Sequence, residues 1–229
     1  MTNRSILLAT WALAAFIASA ALPAISAAGE FKAHCSKGPT CTSNVAGGPA
    51  TFEDDGVGSM KIECAKTGGG ARHTSGTSKG VIIFVFEGCE AEALGFSCNT
   101  PGKPLGTIVT NELPYDLVFI DSTPTVLVGM LITSFNETIT CPVLSIKRTI
   151  TGNVIGKIED PECNVPRASH TIEFKKGAAA GSMQFTQVTT VGQVFDMTWG
   201  VHEADGTTLG IRGTYSFTYN EGQTLTYTC

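Results

Sequence analysis

Apolar and polar residues alternate most regularly near the end of the chain. Between Thr214 and Asn220, aromatic residues occupy every second position and small polar residues fill the positions between them. A period of two is typical of a β-strand with one buried and one exposed face. Glu221-Gly222 then has the composition of a turn, so we predict a final strand that carries Leu225 and Tyr227.

Other strands are predicted from short β-branched and aromatic runs. The run 81–86 is apolar without alternation, which favours a strand covered on both faces. Further strands are predicted at 107–113, 115–120, 125–132, 143–151, 154–158, 169–175, 183–188, 193–201, 211–220 and 223–229. Helical signals are nearly absent. About a dozen short strands predict an all-β domain over residues 50–229, folded as an antiparallel β-sandwich or β-barrel.

The N-terminal segment has the pattern of a targeting sequence. Arg4 is followed by an apolar run at 6–21, Pro23 and the small residues at 26–28. This order predicts a signal peptide over residues 1–28 that is removed on export. No later stretch has the roughly 20 apolar residues that a membrane-spanning helix needs, so no span is expected after cleavage. Residues 29–49 are rich in Gly, Ser, Thr and Lys and are predicted to form an irregular N-terminal arm.

All eight cysteines follow the predicted signal peptide. An even count in an exported chain indicates disulfides, although eight cysteines allow 105 pairings. Because Cys89 and Cys98 flank one predicted loop, we expect them to pair with each other. We also expect Cys35 to pair with Cys41 and Cys141 to pair with Cys163, which leaves Cys64 to pair with Cys229 by elimination. No close cysteine pairs or Cys/His clusters predict a metal site.

Charge and composition narrow the function classes. The chain has 229 residues and a formal net charge of −5, which gives no electrostatic basis for binding nucleic acid. With 42% hydrophobic and 15% charged residues it is too apolar for intrinsic disorder. No motif predicts a cofactor.

Two short motifs resemble catalytic ones but lack the necessary context. Residues 76–80 match G-x-S-x-G, yet a nucleophile elbow needs a strand before the serine and a helix after it, whereas here a strand follows. We interpret this motif as a glycine turn. Ala33-His34-Cys35 resembles the histidine segment of trypsin-like proteases, but no Gly-Asp-Ser-Gly segment occurs in the chain. We therefore predict no catalytic residues.

Two histidines and two acidic clusters are weaker candidates. His170 shares a strand face with apolar residues and is interpreted as a hydrogen-bonded core or rim residue, whereas His202 lies near carboxylates and is the better candidate for a polar site. The clusters 53–56 and 159–162 could bind calcium, but neither has the alternating ligands of an EF-hand loop. Both clusters are interpreted as acidic turns.

One region resembles a known group of proteins. Phe86-Glu87-Gly88-Cys89, a cysteine at position 98 and the segment 106–113 together resemble a pattern found in secreted actinobacterial proteins of unknown function. The segment 151–158 also resembles a later strand of that group. The resemblance implies secretion and an all-β fold, and it implies no activity.

These patterns together predict a secreted, non-enzymatic β-domain with a binding or structural role at the cell envelope or outside the cell. The partner would be an envelope component, a carbohydrate, a protein, or a small apolar ligand if the sheet closes around a cavity. The alternative is a secreted hydrolase whose site is assembled from residues distant in sequence. A hydrolase would show a cleft in which His170 or His202 meets carboxylates or a hydroxyl. A binding module would show an exposed grooved face or an apolar cavity.

Overall fold

The computed structural model describes residues 31–54, 61–92, 94–121, 127–177, 183–184, 187–190, 193–196, 201–203 and 208–228. Over these residues the chain is all-β, as predicted, with two short 3₁₀ turns at Pro142–Leu144 and Asn220–Gly222. The strands are β1 (Lys32–Cys35), β2 (Thr40–Gly47), β3 (Ala50–Asp54), β4 (Lys61–Cys64), β5 (Lys66–Thr74), β6 (Lys79–Glu87), β7 (Glu90–Ala91), β8 (Phe96–Ser97), β9 (Thr107–Val109), β10 (Leu113–Asp121), β11 (Leu127–Cys141), β12 (Ile146–Glu159), β13 (Pro166–Arg167), β14 (Ser169–Phe174), β15 (Gln187–Thr190), β16 (Gln193–Asp196), β17 (Val201–Glu203), β18 (Thr208–Tyr219) and β19 (Leu225–Thr228).

Eight of these strands form a closed antiparallel barrel. In chain order they are β2, β5, β6, β10, β11, β12, β14 and β18, and each pairs with the next. The barrel closes because β18 pairs with β14 on one side and with β2 on the other. Closure leaves no unpaired edge along the barrel wall, which protects an all-β protein from edge-to-edge association.

Several barrel strands are longer than the sequence predicts. β2 and β3 both pair with β18, and β3 continues along the same edge of β18 after Gly48 and Pro49. β11 runs through Thr133 and Ser134, where the prediction placed a break, because a register shift there absorbs the polar residues without ending the strand. The barrel is therefore built from long, interrupted strands rather than many independent short ones.

The prediction of an irregular arm over 29–49 is wrong for most of that segment. β1 and β2 lie within it, and β2 is part of the barrel wall. In β2, Cys41, Ser43 and Val45 are buried while the residues between them are exposed. This alternation is hidden in the sequence because the buried positions are small. The domain therefore begins before residue 50, and the predicted signal peptide over 1–28 lies outside the described residues.

The barrel interior is filled by large side chains. Tyr115 packs so closely over Gly80 that a Cβ atom on this glycine would lie 2.2 Å from the tyrosine ring. Tyr215 covers Gly213 in the same way. A void of about 10 Å³, the space of a single water molecule, remains between residues that are mostly aromatic: Phe52, Phe84, Phe86, Ile132, Phe135, Val154, Phe174, Ile211 and Tyr215. This void cannot hold an organic ligand.

The two ends of the barrel differ in construction. At one end a small sheet of β1, β19 and β13 lies beside the strand termini, and Phe31 from this region stacks on Tyr227. We call this the capped end. At the opposite end, segments 88–106 and 141–145 form connections that carry two disulfides. We call this the stapled end.

The expected pairing of Cys89 with Cys98 is wrong. Cys64 bonds to Cys89, and Cys98 bonds to Cys141. Both bonds join neighbouring strands, since β4 runs antiparallel beside β7 and a backbone bridge joins Asn99 to Thr140. No strand was predicted at the position of β4, so the neighbour that supplies a partner for Cys89 could not be identified.

Of the other expected pairs, Cys35–Cys41 is confirmed. The pairs Cys141–Cys163 and Cys64–Cys229 are wrong because Cys141 and Cys64 have the partners given above. Cys163 is disulfide-bonded and lies beside Tyr227 of β19, while Cys229 lies outside the described residues. The three disulfides between described residues fit an oxidising, extracellular type of environment.

Candidate functional site

Exposed apolar side chains concentrate at the stapled end. Six large hydrophobic residues are exposed in the described part of the chain, and four of them lie on the stapled-end connections. Their exposed fractions range from 37% to 69%. We call these four residues the apolar tips: Leu94, Phe96, Leu105 and Val143. Exposed apolar residues that cluster on loops mark interaction sites more often than scattered ones do.

The connections that carry the apolar tips are joined to one another. The disulfide Cys98–Cys141 links the Leu94–Phe96 hairpin region to the 3₁₀ turn that carries Val143. The Cys89 backbone N–H donates to the carbonyl of Gly106, next to Leu105, at 2.9 Å. The Cys98 N–H donates to the carbonyl of Cys89, also at 2.9 Å. The tips therefore project from one cross-linked unit.

A buried asparagine fixes the turn that precedes Leu105. Asn99 is 7% exposed, and its side-chain amide donates to the carbonyls of Thr100 and Lys103 at 2.9 and 3.1 Å. The hydroxyl of Thr100 in turn accepts from the Val109 N–H at 3.0 Å. These bonds satisfy the backbone of the turn internally, so that Leu105 can stay exposed on a fixed support.

Charges of both signs border the stapled end. The Lys61 ammonium lies 2.6 Å from Glu63 and 2.6 Å from Glu92, and hydrogen bonds to these carboxylates raise the pKa of Lys61. Lys66 pairs with Glu87 on the neighbouring strand. These exposed pairs contribute little to stability. Because positive and negative side chains are paired here, the stapled end has no excess of positive charge that would favour a strongly anionic partner such as nucleic acid or an acidic membrane.

At the capped end, polar side chains are buried instead. His73, which is 2% exposed, lies 3.1 Å from the Tyr115 hydroxyl through Nδ1 and 3.1 Å from the Thr77 carbonyl through Nε2. Since a carbonyl can only accept, Nε2 carries the proton and Nδ1 accepts from the tyrosine hydroxyl. Burial lowers the pKa of His73, so this ring is neutral.

A second histidine points into the same end of the barrel. The Nδ1 atom of His170 lies 2.9 Å from the Tyr219 hydroxyl, and its ring stacks on Phe217 at a centroid distance of 4.8 Å. The residue as a whole is half-buried, but its Nε2 atom is buried without a hydrogen-bond partner. Burial, with a smaller contribution from His73, lowers the pKa of His170 to about 3. The interpretation of His170 as a hydrogen-bonded core or rim residue is confirmed.

The three tyrosines of this cluster are neutral as well. Burial raises the pKa of Tyr115, Tyr219 and Tyr227 well above the usual value. In the part of the chain that the structure describes, no carboxylate hydrogen-bonds to His73 or His170. With neutral histidines, neutral tyrosines and no adjacent carboxylate, this cluster has the properties of a hydrogen-bonded core rather than of an acid–base site.

The two catalytic-like motifs occupy ordinary structural positions. The G-x-S-x-G segment is the turn between β5 and β6, as interpreted from the sequence, and the Ser78 hydroxyl donates to Asp116 at 3.0 Å. His73 does not meet this serine through hydrogen bonds, because both of its ring nitrogens have other partners. His34 is exposed on β1 of the cap. His202 lies on β17, but its side chain is outside the described set.

The acidic clusters engage in ion pairs. Glu53 pairs with Lys176, and Glu162 pairs with Arg167. Glu159 pairs with Lys157 at 3.1 Å. Residues 55 and 56 of the first cluster lie outside the described residues. Across the described ranges, no three His, Cys, Asp or Glu side chains come together as a metal site would require.

Sequence reasoning missed His73 and the supported turn after Cys98. His73 lies at the end of β5, a strand whose three consecutive glycines resemble a loop. Thr67 and His73 are both buried and lie an even number of positions apart, so they share one face of β5. This period of two was the pattern from which a buried His73 could have been predicted. The role of Asn99 depends on contacts within a turn, and no sequence periodicity reports such contacts.

Comparison of the chain with protein-family models, with curated proteins and with solved structures finds no match. The resemblance to secreted actinobacterial proteins thus stays a prediction. Within the described ranges, no helix is long and apolar enough to cross a membrane.

Proposed function

We propose that this protein is a secreted, non-enzymatic β-barrel domain that binds a protein partner through the apolar tips at its stapled end. The observation that carries the proposal is the combination of exposure and rigidity at the tips. Leu105 and Val143 are 69% and 67% exposed, yet two disulfides and the buried Asn99 fix the segments that carry them.

Secretion rests on the predicted signal peptide over residues 1–28 and on the disulfides. Rigid support matters for binding because a side chain held in its bound position loses little conformational entropy on association. A purely structural barrel would gain stability by covering such side chains, since each buried aliphatic side chain is worth about 1.5–3 kcal/mol.

The chemistry of the stapled end favours a protein over the other partners considered. Three of the four apolar tips are aliphatic, and charged side chains of both signs lie on strands at the same end of the barrel. An apolar centre with a mixed polar rim is the usual composition of a protein–protein interface. A small apolar ligand is disfavoured because the void between the core aromatics holds about 10 Å³.

Site-specific photo-cross-linking in the natural producer tests the proposal. A photoreactive amino acid replaces Leu105 in one variant and Val143 in another, and Val165 at the capped end serves as the control because it is also exposed, at 38%. We expect Leu105 and Val143 to yield the same cross-linked protein and Val165 not to yield it. Cross-linking only to lipid, no cross-linked product at either tip, or the same product at Val165 would overturn the proposal.

A further inference from the structure

A hollow of about 480 Å³ lies on the barrel wall where β14, β18 and the connection between β2 and β3 meet. We call it the wall hollow. None of the apolar tips lines it. Its polar and charged members are Thr51, Glu173, Lys175, Arg212 and Thr214. A volume of this size is typical of sites that bind small organic molecules.

The wall hollow lies where the sheet contains an extra residue. Gly47 lies opposite Tyr215 and Thr51 lies opposite Arg212, so three residues separate these pairs on the β2–β3 side but only two on β18. An extra residue of this kind is a β-bulge, and bulges often occur beside binding sites because they change the direction of side chains. Pro49 lies within the bulge and has no N–H to continue the ladder. The regular wall is therefore interrupted at this point.

Arg212 is the charged side chain of the wall hollow that has no partner. Glu173 and Lys175 pair with each other at 2.7 Å. Arg212 is exposed, and within the described ranges no side chain or backbone group forms a hydrogen bond or ion pair with it. Phe174 of β14 lies opposite Gly213 of β18. The residues just past this pair, Lys175 and Arg212, are therefore neighbours across the two strands, an arrangement in which like charges repel.

The carboxylates of this region are already bound and do not neutralise Arg212. Three of them lie on β3, β4 and β14, and each pairs with a lysine: Glu53 with Lys176, Glu63 with Lys61, and Glu173 with Lys175. In the whole chain, acidic residues outnumber basic ones by five, yet Arg212 adds a positive charge beside a second cation. An unpaired guanidinium in this setting favours an anionic ligand, because its planar fork matches a carboxylate or a phosphate.

The other groups of the wall hollow select the kind of anion. Thr51 lies opposite Arg212 and Thr214 lies two residues further along β18, so both hydroxyls share the outer face with the guanidinium. The hydrogen bond from Lys175 lowers the pKa of Glu173, so this carboxylate is charged at neutral pH. It repels a second negative charge on a ligand, but it accepts hydrogen bonds from ligand hydroxyls. The set of groups therefore fits a ligand with one carboxylate and several hydroxyls.

We propose that the wall hollow binds a sugar acid, a pyranose ring that carries a single carboxylate. Arg212 binds the carboxylate through two parallel hydrogen bonds. Thr51, Thr214 and Glu173 hydrogen-bond to the ring hydroxyls, and Pro49 offers an apolar surface to the C–H face of the ring. This proposal uses none of the residues that bind a protein partner at the stapled end, so either proposal can fail without the other.

NMR titration of the purified mature protein with D-glucuronate and with D-galacturonate tests the proposal. D-Glucose has the ring without the carboxylate, and inorganic phosphate has the charge without the ring. We expect at least one sugar acid to bind with a Kd of about 1 mM and to shift the backbone N–H signals of Gly48 and Gly213. Glucose and phosphate should bind at least tenfold more weakly. Binding of neither sugar acid, or equally tight binding of phosphate, would overturn the proposal.

The Arg212→Gln variant tests the role of the guanidinium. It should weaken binding of the sugar acid at least tenfold, because glutamine cannot form the charged pair with the carboxylate. Arg72→Gln is the matched control, since Arg72 is also exposed on the barrel wall but pairs with Glu112 outside the wall hollow. The control should bind like the wild type. Equal affinities of the two variants would overturn the proposal.

The Thr214→Val variant tests whether the ring itself occupies the wall hollow. Valine keeps the shape of the side chain and removes the hydroxyl, so binding of the sugar acid should weaken about threefold or more. Thr218→Val is the matched control, because Thr218 is exposed on the same strand outside the wall hollow. Circular dichroism establishes that each variant is folded. Equal affinities of these two variants would also overturn the proposal.

Discussion

The two ends of the barrel place polar and apolar side chains in opposite ways. At the capped end, His73 and His170 are inside and hydrogen-bond to tyrosines. At the stapled end, Leu105 and Val143 are outside, on backbone held by disulfides. Both ends carry disulfides, but those of the capped end lie beside buried hydrogen-bonded side chains, whereas those of the stapled end hold backbone from which apolar side chains project. A segment held covalently can leave apolar side chains uncovered, and for this reason we propose that binding occurs at the stapled end.

The largest expected effect comes from removing one stapled-end disulfide. In the chain-entropy model, the 43-residue separation of Cys98 and Cys141 corresponds to about 4 kcal/mol, and the 6-residue separation of Cys35 and Cys41 to about 2 kcal/mol. The double alanine variant at 98 and 141 should therefore lose about twice as much free energy of unfolding as the variant at 35 and 41. Chemical denaturation of both variants measures this difference, and equal losses would contradict the division between the ends.

Acid should destabilise the capped end through His170. Its pKa is about 3 in the folded chain, compared with about 6.5 when unfolded, so below pH 6.5 the unfolded chain takes up a proton that the folded chain does not. The contribution of the neutral His170 ring to the free energy of unfolding is therefore complete above pH 6.5 and is lost as the pH drops towards 3. The loss between pH 6.5 and 4 is about 3 kcal/mol.

The His170→Gln variant isolates this effect, because glutamine can hydrogen-bond to Tyr219 but does not titrate in this range. Denaturation curves at several pH values should show a weaker loss of stability for the variant than for the wild type. His73 shifts stability in the same direction, and the raised pKa of Glu137 shifts it in the opposite direction, but both groups are common to the two proteins. Identical pH dependence would show that His170 is not a buried neutral group.

Two tyrosines of the capped end should respond differently to loss of the hydroxyl. Tyr219→Phe leaves the Nδ1 atom of His170 without its partner and should cost about 1–3 kcal/mol. The Tyr227 hydroxyl is buried without a partner, so Tyr227→Phe should be neutral or stabilising. Thermal denaturation distinguishes the two variants, and a larger cost at Tyr227 would indicate a buried water that bonds to its hydroxyl.

The smallest effect on stability is expected at the apolar tips. Leu105 and Val143 are mostly exposed, so replacing either with serine should change the free energy of unfolding by no more than about 0.5 kcal/mol. A loss above about 2 kcal/mol in chemical denaturation would mean that these side chains support the fold and are not free to bind.

The fold class could be predicted because β-branched and aromatic runs report strands directly. The barrel wall was harder to predict where buried positions are small. Gly68 to Gly70 resemble a loop, yet they form the middle of β5, because neighbouring strands on both sides satisfy their backbone hydrogen bonds. β4 was not predicted either, and without β4 the partner of Cys89 could not be identified.

The candidate site was less predictable than the fold. The sequence indicated His170 correctly because it shares a strand face with Ile172 and Phe174, a local property. The apolar tips come together only through tertiary contacts, such as the bridge between Asn99 and Thr140. No pattern within either segment contains that information.

The central claim is that the stapled end binds and the capped end does not. Once cross-linking has identified the partner, calorimetric titration with the purified partner tests the claim directly. It measures the affinity of the wild type and of two single variants, Leu105→Ser and Val165→Ser. We predict that Leu105→Ser weakens binding at least tenfold, as expected for an interface anchor, while Val165→Ser changes affinity less than twofold. Equal affinities for both variants and the wild type, or a larger loss for Val165→Ser, would contradict the account.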